Sequence, residues 1–344
     1  MSTSTSYLDH SPWAGKHGPL LIAEIGGNHE GDFDYALRLT QLAIEADVDY
    51  IKFQLYSGDT LVSRVENPVR NKHFKKFELS QAQYIQLAEM CEAASVGFMA
   101  SVWDPDYLEW IDRYLPIYKI GSGDMTAYPV LKAIAQKRKP IILSTGLSTL
   151  QEVLETVEYI QSLDPIYQNA HYLSVLQCTS MYPIPFAAAH LSVMDSYRQL
   201  TGLPVGYSDH TVGYKALEIA VAMGAQILEF HFTDSREGKT FRDHQVSLTR
   251  DEVHELSKAI GQIRELQGSA LKRPLPIEGE HPRTFRRAVY PAKDIKAGSI
   301  IQAQDLITLR PNHGIDARSF DQLIGKKAKV DLKAHQRLDW ADFE

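Results

Sequence analysis

The sequence predicts a parallel (β/α)8 barrel, a TIM barrel, followed by a small module rich in short strands. Three observations predict it. Between residues 20 and 267, eight short apolar runs alternate with helix-period segments. Each run is apolar on both faces, as in a parallel sheet covered on both sides. A stretch punctuated by Pro and Gly then sets residues 285–344 apart.

Taken in order, the strands are expected at Leu20–Ile25, Tyr50–Gln54, Gly97–Val102, Tyr118–Gly121, Pro140–Ser144, Leu173–Cys178, Pro204–Tyr207 and Gln226–Phe230. Helix periodicity falls on Asp34–Asp47, Gln81–Ser95, Tyr128–Gln136, Thr149–Ser162, Gly213–Met223 and Asp251–Leu266. Start signals support two of these: Ser80 before Gln81–Gln83, and Ser148/Thr149 followed by Glu152. A doubly wound open sheet competes with the barrel, but no Gly-x-Gly-x-x-Gly follows the first strand. The loop Tyr56–Leu79 is long for a βα connection and carries Arg64, Arg70, Lys72, His73, Lys75 and Lys76, which suits a cationic lid over an anionic substrate or a solvated loop. The domain plan is an N-terminal extension over 1–19, a barrel over 20–267, a linker over 268–284 and a module over 285–344. Strands of the module are expected at Ala288–Tyr290, Gly298–Ile301 and Ala328–Val330. So small a module is expected to lean on the barrel or on another subunit.

Composition narrows the class. A net charge of −7 argues against a general nucleic-acid binder. The charge is uneven: 14 Lys/Arg against 10 Asp/Glu leave +4 on residues 271–344, and therefore −11 on residues 1–270. Cys91 and Cys178 show no disulfide or metal-type spacing, which suits a reducing compartment. Met1–Leu20 has no apolar leader segment, and no apolar run approaches the roughly 18 residues needed to span a bilayer. A cytoplasmic protein with no membrane partner is expected.

A barrel of this type places its site at the C-terminal strand ends. Here those ends are all polar: Glu24, Asn28 and His29; Lys52 and Gln54; Ser101 and Asp104; Lys119, Ser122 and Asp124; Ser144; Thr179, Ser180 and Tyr182; Ser208, Asp209 and His210; Glu229 and His231. His210 and His231 stand at or just past two strands one βα unit apart. Converging there, they would make a catalytic divalent metal site with open positions. Asp209 and Glu229 would orient the imidazoles or complete the ion's ligands. Lys52 and Lys119, with Ser122, Ser144 and Ser208 on Gly-containing turns, would cradle a phosphate. Inward lysines need anionic partners, and Glu24, Asp124, Glu229 or a ligand would supply them.

These residues, in this order, resemble the sialic acid synthases, and more broadly the nonulosonic acid synthases. The likeness rests on Ala23-Glu24-Ile25-Gly26-x-Asn28-His29, Lys52-Phe53-Gln54, Lys119-Ile120-Gly121-Ser122-Gly123 and Leu143-Ser144-Thr145-Gly146. It continues in Cys178-Thr179-Ser180-x-Tyr182-Pro183, Ser208-Asp209-His210-Thr211 and His231-Phe232-Thr233. Residues Arg287–Val289, Lys293-Asp294-Ile295-x-x-Gly298 and Leu309-Arg310-Pro311 resemble the antifreeze-like (SAF) domain of the same family.

The resemblance implies condensation of phosphoenolpyruvate with an N-acylated hexose, either N-acetylmannosamine or a 2,4-diacetamido-2,4,6-trideoxyhexose. It implies a divalent metal, manganese above magnesium or cobalt, on His210 and His231. Lys52, Lys119, Ser122, Ser144, Thr179, Ser180, Tyr182 and Ser208 would bind phosphoenolpyruvate, and Gln54 would contact the sugar or orient a neighbour. Glu24, Asp124 and Asp243 would be the acid/base and substrate-orienting carboxylates. Arg310 would reach the sugar's acyl group from the partner subunit of a domain-swapped homodimer. Three positions depart from the family pattern: Asp124 for Glu, Phe230 for a basic residue, and Phe241-Arg242-Asp243-His244 for Gly-Pro-Asp-His. All three are expected on the sugar side of the site. A related barrel making an eight-carbon sugar acid and a non-catalytic binding protein are the alternatives.

Overall fold

The computed structural model describes residues 11–344, which form two compact units divided between Gly268 and Ser269. The first is built on eight parallel strands: β1 Gly18–Glu24, β2 Tyr50–Leu55, β3 Gly97–Val102, β4 Tyr118–Ile120, β5 Ile141–Ser144, β6 Leu173–Cys178, β7 Val205–Asp209 and β8 Ile227–His231. They run in the order β3-β2-β1-β8-β7-β6-β5-β4. β3 and β4 come side by side and complete the circuit, but no ladder of hydrogen bonds joins them among the described residues. The result is a near-closed TIM-type barrel with helices outside it.

Alternation along each strand sorts side chains into two cores. Outward residues such as Leu21, Ala23, Ile51, Phe53, Val175 and Tyr207 pack beneath the helices. Inward residues fill the lower barrel with Leu20, Ile22, Met99, Ile117, Ile142, Leu176 and Ile227. Trp13 seals that end, 1% exposed, with its indole donating to the Ala170 carbonyl at 2.6 Å. The extension expected over 1–19 is therefore corrected in part. Residues 1–10 lie outside the described residues, but Ala14–Gly15 pairs antiparallel with Gly18–Pro19 of β1 and carries the plug.

The helices begin where capping chemistry predicts. Ser80, Thr149 and Thr249 each form a reciprocal capping box, with Gln83, Glu152 and Glu252. One helix, Val193–Thr201, has no counterpart in the sequence reading. Only Met194 and Tyr197 are buried on it, so its apolar period is faint, and its clearest signal is the left-handed Gly202 that stops it. The segment 56–79 is a second correction. It folds into a turn of helix, Gly58–Leu61, and a longer helix, Pro68–Phe77, with Asn67 as N-cap and Pro68 in the first turn. Asn71 ties the two together, its buried amide donating to the Gly58 and Val62 carbonyls at 2.8 Å each.

In the second unit, the strand β9 Ala288–Pro291 pairs antiparallel with β10 Leu306–Leu309. A core of Val289, Ile301, Leu323, Leu332 and Leu338 lies within it. β10 was not foreseen. The strands expected at Gly298–Ile301 and Ala328–Val330 reduce to single bridges, Ile300 to Lys327 and Ala328 to Phe343. In so small a unit the chain turns too often to sustain longer ladders. No helix among the described residues is long and apolar enough to cross a membrane.

Candidate active site

Above the apolar floor, one further step along the strands changes the chemistry. Glu24, Lys52, Ser101, Lys119, Ser144, Cys178, Ser208 and Glu229 line a cavity of about 810 Å³ at the C-terminal strand ends. Parallel register sets Glu24 abreast of Lys52 and of His231, and Ser208 abreast of Glu229. Gln54, Ser122, Asp124, Ser180, Tyr182, His210, His231 and Asp243 complete the wall. Fourteen of the fifteen sequence-predicted site residues belong to this unit, and thirteen of those line the cavity.

The centre is a buried ion network. Lys52 Nζ lies 2.6 Å from Glu24 Oε2 and 3.3 Å from Glu229 Oε1, and Lys119 Nζ lies 3.2 Å from Glu229 Oε2. Glu229 thus bridges the two lysines. Burial presses its carboxyl upward, yet the two ammoniums hold it well below the usual carboxylate range. Burial also acts against the Lys52 ammonium, but Glu24 and Glu229 overrule it and raise the group. Lys119 is lowered, by burial first and by Lys52 beside it, against the pull of Glu229. Burial raises Glu24, with Lys52 opposing; its other oxygen accepts from Gln54 Nε2 at 2.6 Å. Two cations thus share two carboxylates in a low-dielectric floor, a set-up that an anionic ligand joins readily.

Hydroxyls converge beside Lys119. Its Nζ donates to Ser144 Oγ at 2.7 Å, and Gly146 N donates to Ser122 Oγ at 2.9 Å. A methyl group on Gly146 would stand 2.2 Å from Ser180 Oγ and 2.9 Å from Ser122 Oγ, so the bare glycine makes room for them. Thr179 behaves differently. Its hydroxyl donates to the Ala188 carbonyl at 2.7 Å, and it is its carbonyl that meets the site.

That carbonyl lies 2.7 Å from His210 Nδ1, which fixes the tautomer and leaves Nε2 with its lone pair. The His210 and His231 rings stand 5.3 Å apart at 51°, with Tyr182 against both. Burial, then His210, keeps the His231 imidazole neutral, well below the usual histidine range. Its Nδ1 is buried without a hydrogen-bond partner, 3.9 Å from Asp243 Oδ2. No group of three or more His, Cys, Asp and Glu side chains is arranged as a metal cage among the described residues. Burial acts against a charge on His210 as well, but Cys178, the Thr179 carbonyl and Glu229 overrule it and raise that imidazole. With the His210 proton given up, the two rings would suit a divalent ion that keeps its other positions open.

The companions assigned to these histidines need correction. Asp209 accepts from Tyr207 Oη at 3.0 Å and from Thr211 N and Oγ1 at 2.8 and 3.0 Å, so it shapes its own turn. Glu229 serves the lysines. Phe230, expected on the sugar side, points outward into the core beneath the helices, 1% exposed. The other two departures do reach the cavity. Asp124 lines it, with a carboxyl that burial pushes up to about 6 against the pull of Lys119. Phe241 and Arg242 line it as well, the Arg242 guanidinium standing 4.6 Å over the Tyr182 ring and its Nε donating to Asp243 at 3.2 Å. Burial raises Asp243, with Arg242 opposing. Arg310 belongs to the second unit, where its guanidinium stands 5.5 Å over Phe285.

Sequence reasoning missed an aromatic wall. Trp103 stacks on Tyr56 at 5.2 Å, Phe74 meets Tyr56 edge-on at 5.1 Å, and Phe77 meets Phe241 at 5.1 Å. Arg70, His73, Phe74 and Phe77 all line the cavity from one helix. Their i, i+3, i+4, i+7 spacing was the signal available, obscured by attention to the basic residues of the same stretch.

The chain matches the model of the NeuB family over residues 39–272 and that of the SAF domain over residues 286–344. It is 33% identical to N,N'-diacetyllegionaminic acid synthase of Legionella pneumophila, over 94% of each chain. It is 31% identical to N-acetylneuraminate-9-phosphate synthase of Homo sapiens, over 93% of this chain and 91% of that one. It also superposes on the crystal structure of N-acetylneuraminic acid (sialic acid) synthetase from Leptospira borgpetersenii serovar Hardjo-bovis in complex with citrate. There the TM-score is 0.70 at 29% identity, covering 76% of this chain and 89% of that one. With its barrel, its tail and its polar strand ends all of one kind, the chain belongs to the NeuB family of nonulosonic acid synthases and carries an SAF domain.

Proposed function

We propose that this chain condenses phosphoenolpyruvate with an N-acylated hexose and water, giving a nonulosonic acid and inorganic phosphate. The observation that carries the reading is the pair of buried lysines sharing Glu229 beside the Ser122, Ser144 and Ser180 hydroxyls, with two imidazoles across the same cavity. An anion with both a carboxylate and a phosphate matches that donor set. The hexose is N-acetylmannosamine or a 2,4-diacetamido-2,4,6-trideoxyhexose.

His210 and His231 would hold a divalent ion, manganese first and magnesium or cobalt as substitutes. When bound, it would polarise the open-chain aldehyde of the sugar. Lys119 and the serines orient the phosphate so that C3 of phosphoenolpyruvate meets the aldehyde carbon. A new C–C bond forms, the aldehyde oxygen takes the carbonyl electron pair and a proton to become a hydroxyl, and C2 becomes electron-poor. Water adds there, its proton taken by one of Glu24 or Asp243. Asp124, poised near 6, donates a proton to the phosphate as the C2–O bond breaks, and the C2 hydroxyl gives up its own proton to leave the ketone. Gln54 holds Glu24 in place.

Phosphate release with manganese, against a panel of aldoses with and without EDTA, tests this. Metal-dependent release with one N-acylated hexose is expected. Release with arabinose 5-phosphate instead, or silence across the panel, overturns it. We also propose a domain-swapped homodimer, with Arg310 of the partner subunit completing the sugar site. Mixed Arg310→Ala and Lys119→Ala chains should regain activity, and confirmed heterodimers without rescue would count against the swap.

A further inference from the structure

One donor of the cavity has no role in the scheme above. Trp103 lines the cavity, yet its Nε1 is shut off from solvent and finds no hydrogen-bond partner among the described residues. A buried N–H without an acceptor is uncommon and points to a ligand at that spot. The ring itself is held firmly, stacked on Tyr56 at 5.2 Å and 21°, with Phe74 edge-on at 6.3 Å. Its direction is thus set by packing.

The direction is informative. A methyl group placed on Gly121 would stand 3.7 Å from Trp103 Nε1, 3.9 Å from Ser101 Oγ and 4.0 Å from Asp124 Oδ2. Three polar atoms therefore face one small space, kept open because residue 121 has no side chain. The space is also well placed in the barrel. Strand β3, which carries Ser101 and leads into Trp103, stands between β2 with Lys52 and β4 with Lys119. Lys52 Nζ donates to Ser101 Oγ at 3.4 Å, so the proton of that hydroxyl is free to point elsewhere.

The cavity therefore carries two donor clusters. One, on β4 to β6, consists of Lys119, Ser122, Ser144, Ser180 and the Gly146 turn. The other, on β2 and β3, consists of Lys52, Ser101 and the Trp103 indole. We infer that Trp103 donates its indole N–H to a carboxylate oxygen of phosphoenolpyruvate, in a subsite shared with Lys52 and Ser101. The inference rests on the proposed function for the identity of the substrate. It assigns the carboxylate to one cluster and the phosphate to the other. The Asp124 carboxyl borders the same space, and Lys52 and Ser101 supply the donors that offset it.

Trp103→Phe tests it, since Phe keeps the stacking face and removes only the N–H. Phosphoenolpyruvate binding to the full-length protein is measured by calorimetry, and inorganic phosphate binding alongside it. A hydrogen bond to a charged group is lost, so phosphoenolpyruvate should bind about tenfold more weakly to the variant. Inorganic phosphate should bind both proteins equally, which also shows that the site is intact. In turnover, KM for phosphoenolpyruvate should rise about tenfold with KM for the sugar unchanged. Equal phosphoenolpyruvate affinity in variant and wild type overturns the inference. So does a parallel loss of phosphate affinity, which would move the indole to the phosphate end. Selective weakening of phosphoenolpyruvate in a protein that turns over no acylated hexose would uphold the subsite and defeat the proposed reaction. A wild-type protein that does not bind phosphoenolpyruvate at all defeats both.

Discussion

Replacing Glu229 by Gln removes the anion shared by two buried ammoniums while keeping the side chain's shape. Lys52 and Lys119, 3.3 and 3.2 Å from its oxygens, would then face a neutral amide, with Glu24 alone left to balance both. Breaking a buried pair in this way costs about 3–5 kcal/mol, most of it the penalty of an uncompensated charge. For a unit the size of the barrel, 1 kcal/mol corresponds to roughly 2 °C, so its thermal unfolding should move down by about 6–10 °C. The measurement is calorimetric unfolding of wild type and variant, each with and without phosphoenolpyruvate. A ligand at 100 times its Kd adds about 2.7 kcal/mol to any protein that binds it. In the variant it should add more than in wild type at the same concentration, because the ligand's negative charge replaces the missing carboxylate. An unfolding temperature equal to wild type would refute the network's role in stability. A destabilised variant that gains no more from phosphoenolpyruvate than wild type would refute the idea that the lysines await an anion.

Three further outcomes are expected. The Asp124 carboxyl is raised from 3.8 to about 6 by burial. Its contribution to stability is therefore complete below pH 3.8 and is lost as pH rises through 6; Asp124→Asn should be more stable than wild type at pH 8, by about 1–3 kcal/mol. Urea curves at pH 8 and pH 4 check this, with the gap closing at pH 4, and equal stability at pH 8 would contradict it. His210→Ala and His231→Ala should each abolish manganese binding by calorimetry and reduce phosphate release to the level seen with EDTA; full activity in either sinks the two-histidine site. Trp13→Ala, which opens the barrel floor, should cost about 3–5 kcal/mol in urea unfolding while the folded fraction keeps its activity.

Most of the barrel was legible because its strands are apolar on both faces and its helices start with capping pairs. What the sequence reading lacked was parity. Along a barrel strand, alternate residues face the axis. Glu24, Lys52, Lys119, Ser144, Ser208 and Glu229 all share the inward parity. Asp209 and Phe230, each adjacent to an inward residue, necessarily face the helices. Judged by nearness in the chain they look like site residues; judged by parity they are core. The histidines were found because strands β7 and β8 run on to Asp209 and His231, which keeps the alternation intact to the rim. The helix Pro68–Phe77 was obscured for another reason. Its exposed lysines mask an apolar face that becomes evident only once a wall exists for it to join. Ala14–Gly15 is two residues long, too short for any period to register.

The missing ladder between β3 and β4 has a consequence for how this barrel can be altered. Around the rest of the circuit, the spacing of strands is fixed by backbone bonds at about 4.8 Å. At that one line the spacing is set by side chains instead, with Trp103 and Ser101 on one side and Gly121 on the other. A larger residue introduced there can be accommodated by parting the two strands, where elsewhere it would have to break hydrogen bonds. The β3–β4 line is thus the direction in which the cavity can be widened for bulkier acids with the least disturbance to the opposite wall, where the two histidines stand.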